Sequence, residues 1–254
     1  DYFEVPMAAP RGLVAPRIAT DAIIPFTEAL PNVEHLRGRL VELSPRGGLV
    51  DTAGGGRVFV ESKITVLATG SRFANELVRA PEGTATERKA FYEKIHQQLA
   101  AAQRILIIGG GPIGVEVAGE LTQTWPRKAI TIVERGPRIL AGTSAEVAAH
   151  AESVLRSRGV TILTNEQIAG ADRSVEDVFA EGGEVKTGSG RQLSYDLALW
   201  CIGGRANTAY MQQHFGSVIT PEGRIKVSAD LRVVGQQSIF ALGDITDLAE
   251  NKMA

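Results

Sequence analysis

Short apolar runs alternate with amphipathic segments in the middle of the chain. Residues 105–108, 129–133 and 160–163 are almost wholly apolar, as expected of strands that are buried on both faces of a sheet. Between them the apolar positions follow helical spacing, first over about 112–123 and then up to about 158. This order of strand, helix, strand, helix and strand predicts a parallel sheet with right-handed crossovers, and therefore an α/β fold.

Two helix starts are marked by a hydroxyl side chain followed three residues later by a glutamate. Thr84 and Glu87 have this capping-box spacing and predict a helix over about 84–102. The apolar positions of that helix recur every four residues: Phe91, Ile95 and Leu99. Thr143 and Glu146 have the same spacing and predict the start of the second crossover helix.

The flanking regions show the shorter, turn-rich pattern of antiparallel strands. A β-meander that leads into a final buried strand is predicted from four short β runs separated by Gly-rich turns: 38–43, 48–51, 57–60 and 64–67. Residues 21–30 predict a short helix, and residues 71–83 predict a linker. Further β structure is predicted in the second half of the chain: ribbons over 168–195, a buried strand over 197–202 and short strands over 224–241.

Composition and charge exclude several classes of protein. The 254 residues include one cysteine, Cys201, which excludes an internal disulfide, a four-cysteine zinc site and a cysteine-ligated iron–sulfur cluster. The four histidines show no metal-ligand spacing, so we expect no metal site. A net charge of −2 and a pI of about 6.2 provide no basic field for nucleic acid. Because the chain has no long apolar run and no signal peptide, a cytoplasmic or organelle-matrix setting is favoured.

A glycine-rich turn between the first buried strand and the first crossover helix carries the clearest chemical signal. It has the spacing G-x-G-x-x-G and comprises Gly109, Gly110, Gly111, Pro112, Ile113 and Gly114. In a dinucleotide-binding fold, the first glycine permits the tight turn, the second lets the backbone approach a pyrophosphate, and the third lets the helix pack on the strand. The helix N-terminus adds free N–H groups for the phosphates. A glycine turn without a ligand is the alternative.

The residue that follows the second buried strand bears on the choice of coenzyme. Glu134 lies 20 residues after Gly114, where an acidic side chain accepts hydrogen bonds from a ribose 2′-OH. Its charge would repel a 2′-phosphate, which favours NADH over NADPH. Arg135 and Arg138 follow closely and can receive a phosphate, so NADPH stays open, although Arg138 is more simply read as a solvated surface charge.

Three further positions have both a functional and a structural explanation. Glu116, placed in the first helical turn, either benefits from the helix dipole or points into a cofactor cleft. Two strand ends carry small or acidic residues: Ala68, Thr69 and Gly70 at one, and Gly243 and Asp244 at the other. Asp244 either accepts a sugar hydroxyl or caps the next helix. The residues alone leave these alternatives open.

Taken in chain order, these segments resemble the flavin-dependent pyridine nucleotide oxidoreductases. The resemblance covers nearly the whole chain and is carried by four motifs: Ala68-Thr69-Gly70, the Gly109–Gly114 loop with Val115-Glu116, Cys201-Ile202-Gly203-Gly204, and Gly243-Asp244. Within the family, two segments are similar to the apoptosis-inducing-factor-like, mitochondrion-associated 2 branch, the ferroptosis suppressor type: Asn207-Thr208-Ala209-Tyr210 and Asn251-Lys252-Met253-Ala254. The type II NADH dehydrogenases are near relatives of that branch.

The resemblance implies two nested Rossmann-like dinucleotide-binding domains of the three-layer ββα FAD/NAD(P)-binding type. Residues 1–80 are assigned to an FAD-binding domain, 81–204 to an NAD(P)H-binding domain, and 205–254 to the return of the chain to the FAD-binding domain. The family's own FAD-binding glycine motif would precede Asp1, and its C-terminal interface domain would follow Ala254. We therefore expect an incomplete FAD domain in the middle part of a longer protein.

The resemblance also implies a chemistry. FAD and NADH are the expected cofactors, with Gly243 and Asp244 near the flavin, Gly203 at the cofactor and Glu116 as the catalytic candidate in the cofactor cleft. Disulfide reductases of this family need cysteines that the chain lacks, so electrons are expected to leave the flavin directly, to a quinone, to oxygen or to a protein. A quinone-like acceptor is the leading expectation. An NAD(H)-binding regulatory flavoprotein of the apoptosis-inducing-factor type is the alternative. The oligomeric state is open, and peripheral membrane contact through the absent termini is compatible with either function.

Overall fold

The computed structural model describes residues 1–72, 83–169 and 179–248. The strands are β1 Tyr2–Glu4, β2 Ile23–Pro25, β3 Gly38–Ser44, β4 Gly47–Thr52, β5 Arg57–Glu61, β6 Thr65–Leu67, β7 Ser71–Arg72, β8 Arg104–Ile108, β9 Ala129–Val133, β10 Thr161–Leu163, β11 Phe179–Lys186, β12 Gln192–Trp200, β13 Arg205–Ala206 and β14 Ile239–Ala241. The helices are α1 Ala9–Gly12, α2 Pro16–Ala22, α3 Phe26–Ala29, α4 Ala85–Ala101, α5 Pro112–Thr124, α6 Ala145–Ser157 and α7 Gln212–Phe215. Turns of 3-10 helix are Pro6–Ala8, Ala209–Met211, Gly216–Val218 and Gly243–Ile245.

The chain divides into two compact units, each built from two segments. Unit 1 comprises Asp1–Ala29 and Phe73–Gly203, and unit 2 comprises Leu30–Arg72 and Gly204–Ala254. The structure therefore divides the predicted first domain, residues 1–80, because its first segment packs in unit 1 with the glycine-rich region.

A buried ion pair links the first segment to α4, within a core that also buries Leu13 and Ile23 of that segment. Arg88 of α4 is fully buried, and its Nε donates a hydrogen bond to Glu4 Oε2 at 2.9 Å. The Tyr92 hydroxyl donates to the same carboxylate, and burial raises the pKa of Tyr92 well above its usual range. The Arg88 guanidinium also lies over the Phe91 and Tyr92 rings, at 4.5 and 4.7 Å from their centroids. This cluster ties β1 to α4.

The main sheet of unit 1 has the strand order β10-β9-β8-β12-β11. Strands β10, β9, β8 and β12 are parallel, and β11 pairs antiparallel with β12 at the edge. The predicted α/β fold and the parallel sheet are confirmed. Helices α5 and α6 connect the parallel strands, and their apolar faces bury Val117, Leu121 and Leu155 in the core.

Strand β12 replaces two elements that were predicted separately, the end of a ribbon and a buried strand over 197–202. It runs from Gln192 to Trp200 and pairs with β11 along most of its length, but with β8 only over Leu197–Trp200. The half that has neighbours on both sides is mostly buried, whereas the hairpin half alternates in exposure. The burial pattern therefore changes where β12 gains β8 as a second neighbouring strand.

The predicted helix starts are right in one case and displaced by one residue in the other. The Thr84 side chain accepts a hydrogen bond from the Glu87 N–H at 3.2 Å, and the Glu87 carboxylate accepts one from the Thr84 N–H at 3.1 Å, so the first capping box is confirmed. At α6 the cap is Ser144, whose Oγ accepts from the Val147 N–H at 3.3 Å. Thr143 instead donates its hydroxyl to a carbonyl of the preceding turn.

The predicted short helix over 21–30 is wrong at its centre. Residues Ile23–Pro25 form β2, which pairs antiparallel with β1, and short helices lie on either side. Pro25 lies at the end of this strand, where its missing N–H removes no hydrogen bond from the interior of a sheet.

The described residues of unit 2, up to residue 248, form three small sheets. Strands β3, β4 and β5 form an antiparallel sheet, which confirms the first three strands of the predicted meander. The fourth, β6, pairs in parallel with β14, and β7 pairs antiparallel with β13. A separate apolar core holds this unit together, with Leu43, Leu67 and Ile239 among its buried members.

No helix in residues 1–72, 83–169 and 179–248 combines the length and apolarity needed to cross a membrane. In the same part of the chain, no group of three or more His, Cys, Asp or Glu side chains is placed to hold a metal ion.

Candidate functional site

The glycine-rich loop joins the end of β8 to the start of α5 in a turn that requires small residues. Gly109 has φ +110°, and a Cβ atom there would lie 2.6 Å from the Cys201 carbonyl oxygen. At Gly114 a Cβ atom would lie 2.1 Å from the Gly109 carbonyl oxygen, so α5 approaches the loop only because this position lacks a side chain. These two glycines have the structural roles that the motif assigns to them.

The start of α5 presents unused hydrogen-bond donors. The helix begins at Pro112 after the N-cap Gly111, and no side chain caps it. The first N–H groups of a helix have no intrahelical acceptor, and the helix dipole places partial positive charge at this end. A Cβ atom at Gly111 would meet nothing within 4 Å, so the backbone here is open to a ligand. A phosphate is the group that such an end binds best.

Glu134 contacts this loop directly. Its Oε2 accepts a hydrogen bond from the Gly110 N–H at 2.7 Å, and its Oε1 accepts one from the Gly136 N–H at 2.6 Å. The Gly110 carbonyl oxygen accepts a further bond from the Leu140 N–H at 2.8 Å. Both polar backbone groups of Gly110 are therefore engaged by the segment that follows β9. The sequence had suggested only a ribose as the partner of Glu134.

The two arginines after Glu134 have different environments. Arg138 donates hydrogen bonds to the carbonyl oxygens of Ala141, Thr143 and Ser144, at 2.8–3.1 Å. It therefore holds the turn before α6. Arg135 is exposed, so of the two it is the one whose guanidinium a ligand can reach without breaking those bonds.

Glu116 lies in the second turn of α5, because the first turn is Pro112–Val115 and contains no acidic residue. Its placement in the first turn was therefore wrong, and the dipole of the helix end does not account for it. It lines a pocket of about 420 Å³ within unit 1, beside Glu120 on the same helix and Arg11 of α1. Partial burial, and then the neighbouring Glu120 carboxylate, raise the pKa of Glu116. Arg11 Nη1 donates to Glu120 Oε2 at 2.7 Å, so Glu120 has a cationic partner of its own.

In unit 2 the end of β6 is tied to the segment after β13. Thr69 Oγ1 donates to the Asn207 carbonyl oxygen at 2.8 Å and shares a second hydrogen bond of 2.8 Å with the Tyr210 hydroxyl. The Asn207 side-chain amide donates back to the Thr69 carbonyl oxygen at 2.9 Å. Burial raises the pKa of Tyr210, which keeps it protonated. Ala68 precedes this clasp and is exposed.

The ends of β6 and β14 meet because the two strands are parallel neighbours. The Ser71 hydroxyl donates to Asp244 Oδ2 at 2.8 Å, and Gly70 and Gly243 have φ values of +62° and +71° that suit glycine. The structure thus brings together the two predicted strand ends of unit 2. Sequence reasoning did not identify Ser71, although it directly follows the Ala68-Thr69-Gly70 motif.

The remaining predicted position, Gly203, lies just beyond β12 at the end of unit 1. It is exposed, and a Cβ atom there would meet nothing within 4 Å. Among the described residues, no contact of Gly203 indicates a ligand, so its position at a cofactor stays a prediction.

The chain was compared with known families and curated proteins. A family model described as "pyridine nucleotide-disulphide oxidoreductase" matches residues 34–254. Apoptosis-inducing factor homolog A of Dictyostelium discoideum is 31% identical over 97% of this chain and 63% of its own length. Ferroptosis suppressor protein 1 of Taeniopygia guttata is 28% identical over 100% of this chain and 68% of its own length. The chain thus spans less than two thirds of the Dictyostelium relative.

Solved structures show the same fold at lower identity. A NAD-dependent persulfide reductase from A. fulgidus superposes with a TM-score of 0.71 at 20% identity, covering 96% of this chain and 46% of that one. The NDH2 from Plasmodium falciparum, solved in complex with NADH, gives a TM-score of 0.68 at 17% identity, covering 96% and 57%. At these identities the likeness establishes the fold.

Proposed function

Because the chain belongs to the pyridine nucleotide-disulphide oxidoreductase family, we propose that it acts as a flavin-dependent NAD(P)H oxidoreductase, with NADH as the preferred electron donor. The observation that carries the proposal is the glycine loop of unit 1. It leads into an uncapped helix N-terminus whose backbone is open at Gly111, and the acidic Glu134 follows the next strand.

The residues present fit a bound dinucleotide in unit 1. The start of α5 supplies N–H donors and partial positive charge for a pyrophosphate. A carboxylate has room for about four hydrogen bonds, so Glu134 can accept from a ribose while it keeps its two bonds to backbone N–H groups. Its negative charge disfavours the 2′-phosphate of NADPH, and the exposed Arg135 is the residue that would tolerate one.

The residues of unit 2 fit the FAD assignment at the ends of β6 and β14. Hydroxyl and carboxylate groups converge there. Asp244 Oδ2 accepts a hydrogen bond from Ser71, and because a carboxylate has room for about four hydrogen bonds, Asp244 can also accept one from a hydroxyl of the flavin side chain. When bound, the flavin supplies the two-electron acceptor chemistry of the reaction. The chain's part is to bind and orient the two cofactors and to exclude water from them.

The proposed acceptor is quinone-like, and no cysteine of this chain relays the electrons. Cys201 lies at the end of β12, is 6% exposed and is the chain's one cysteine, so the chain contains no pair of thiols to cycle as a disulfide. Glu116 is the proposed acid–base group of the cofactor cleft because of the family resemblance, and partial burial together with the Glu120 carboxylate raises its pKa. The pocket that Glu116 lines with Arg11 and Glu120 contains no residue of the glycine loop and is not taken as that cleft.

The test uses the full-length protein in an anaerobic titration. We expect purified protein to be yellow and NADH to bleach its visible flavin absorbance, and a soluble short-chain quinone to restore the colour. Full-length protein that is colourless and does not take up added FAD would refute the proposal. Bleaching by NADH without reoxidation by quinones would retain the flavin-dependent reductase and remove the quinone.

The second candidate function is an NAD(H)-binding regulatory flavoprotein. It is favoured by the similarity to a protein named apoptosis-inducing factor homolog A over 97% of the chain. The same titration distinguishes it, because that function predicts a stable complex of reduced flavin and NAD⁺ and slow turnover with every acceptor.

A further inference from the structure

Glu134 is bonded to the protein itself in a way that its expected role at a ribose does not require. One carboxylate oxygen accepts the Gly110 N–H at 2.7 Å, inside the glycine loop, and the other accepts the Gly136 N–H at 2.6 Å, in the turn after β9. Hydrogen bonds to an ionised acceptor are about twice as strong as neutral ones. Glu134 therefore links two loops that meet at the carboxyl ends of β8 and β9.

The loop is also packed against the segment that Glu134 begins. The Leu140 N–H donates to the Gly110 carbonyl oxygen at 2.8 Å. A Cβ atom at Gly110 would lie 2.7 Å from Ile139 Cγ2 and 3.1 Å from Glu134 Cβ, and Ile139 is 0% exposed. A side chain at position 110 would clash with residues 134–140, so this position requires glycine. The Gly110 N–H is already bonded to Glu134 and is therefore not directed at a phosphate.

The residues that bond to Gly110 and Gly136 from the other side of these loops have left-handed backbone conformations. Leu140 has φ +49° and Asn165 has φ +54°, in the left-handed region that non-glycine residues seldom occupy. Leu140 donates to Gly110, and the Asn165 N–H donates to the Gly136 carbonyl oxygen at 2.8 Å. Such strain persists where surrounding contacts over-determine the conformation. Asparagine adopts this region more readily than most residues, so Leu140 is the one that indicates strain. Both residues hold the two partners of Glu134 by bonding to the carbonyl oxygens of Gly110 and Gly136.

We propose that Glu134 is a positioning residue for the whole glycine loop, in addition to any contact with the coenzyme's ribose. Its carboxylate orients Gly110, and through it the open backbone from Gly111 to the start of α5 that would receive the pyrophosphate. Removing the charge therefore weakens the binding of every ligand that uses the loop, NADPH included. This inference rests on the proposed function for the identity of the ligand, but the contact between Glu134 and the loop is independent of it.

Replacement of Glu134 separates the two roles. The variant Glu134→Gln keeps the size of the side chain, but it places an amide N–H₂ against one of the two backbone N–H groups and removes the repulsion of a 2′-phosphate. If the residue acted only at the ribose, NADH binding would weaken and NADPH binding would improve. As a positioning residue, we expect the apparent affinities for NADH and NADPH both to fall by about tenfold.

Reduced nicotinamide mononucleotide provides the sharper comparison, because it has a phosphate but no adenosine ribose. We expect its kcat/KM to fall in Glu134→Gln by a factor similar to that for NADH. The variant Glu134→Asp retains the charge but cannot span both N–H groups, and we expect it to show the same loss; it also serves if Glu134→Gln does not fold. Glu93→Gln removes an exposed carboxylate of α4 in the same unit and is the matched control.

Amide hydrogen exchange tests the contact without any nucleotide. In nucleotide-free full-length protein, we expect exchange at Gly110 and Gly136 to be faster in Glu134→Gln than in wild type and unchanged in Glu93→Gln. The inference is overturned if exchange is unchanged, if NADPH binding improves, or if the mononucleotide is oxidised as well as by wild type. Wild-type protein that binds no nicotinamide nucleotide would refute the proposed function instead, and exchange would still decide the role of Glu134.

Discussion

The two units build their candidate sites from contacts of very different range along the chain. In unit 1 the glycine loop is held by Glu134, 24 residues from Gly110 and within the same strand–helix–strand motif. In unit 2 the clasp between Thr69 and Asn207 spans 138 residues, and the bond between Ser71 and Asp244 spans 173. The site in unit 1 is therefore specified by a local motif, whereas the site in unit 2 forms only when its two distant chain segments pack together.

One ion pair from each unit shows a second difference, in the solvent exposure of the paired side chains. Unit 1 buries the guanidinium of Arg88 completely, with Glu4 as its partner at 11% side-chain exposure. In unit 2, Arg57 and Asp51 form a pair of 2.6 Å whose side chains are 58% and 45% exposed. A buried charge that loses its partner is costly, whereas an exposed pair is screened by water. Although both pairs are within hydrogen-bonding distance, loss of one partner should lower the unfolding free energy much more for the buried pair than for the exposed pair.

The largest expected effect is on the buried pair. Glu4→Ala leaves the Arg88 charge uncompensated, and we expect the full-length protein to lose about 3–5 kcal/mol of unfolding free energy in urea. The matched change in unit 2, Asp51→Ala, should leave the unfolding midpoint almost unaltered, because both partners are already solvated. Equal losses in the two variants would contradict the contrast between the units.

A second variant pair tests the close packing of the glycine loop. Gly114→Val forces a side chain against the Gly109 carbonyl oxygen, which a Cβ atom would approach to 2.1 Å, and we expect a loss of about 1–3 kcal/mol and of NADH binding. Gly119→Ala, on the same helix and with nothing within 4 Å of its Cβ position, should be neutral or stabilise by up to about 1 kcal/mol. Thermal unfolding of both variants measures the change in unfolding free energy. A Gly114→Val variant as stable as wild type would show that α5 does not pack against the Gly109 carbonyl oxygen.

The smallest expected effect concerns the long-range site of unit 2. Ser71→Ala removes the hydroxyl that donates to Asp244, and we expect the dissociation constant for FAD of the full-length protein to rise by about threefold to tenfold. Ser71→Thr retains a hydroxyl and should restore binding. FAD affinity that is the same in all three proteins would mean that Ser71 does not orient Asp244 towards the flavin.

What the sequence predicts well is local. Alternation of apolar runs with helical spacing was enough to predict β8, α5, β9, α6 and β10 in order, because each element is recognised within its own window. The same local logic misplaced the cap of α6, because the spacing of Thr143 to Glu146 favoured Thr143, whereas the adjacent Ser144, a residue type that caps helices better than threonine, is the N-cap. Strand β2 was missed because three residues are too few to show a period.

What it does not predict depends on contacts between distant segments. The partner of β6 is β14, and nothing in the pattern of either strand names the other. The first 29 residues belong to unit 1, where their Glu4 pairs with Arg88, a residue type that is almost never fully buried unless it is paired. In the site, the position of the glycine loop was predicted, but the two backbone bonds of Glu134 were not, because they depend on the conformation of the turn after β9.

The nested order of the segments has a consequence for how the chain folds as it is synthesised. Residues 1–29 emerge before the rest of unit 1, yet β12, which lies beside β8 in the same unit, ends only at Trp200. At usual elongation rates this interval lasts roughly 10–35 s. Leu13 and Ile23, which are 0% and 3% exposed in the finished unit, have no completed core to join during that time. The nascent chain is therefore expected to depend on chaperones most strongly before β12 emerges.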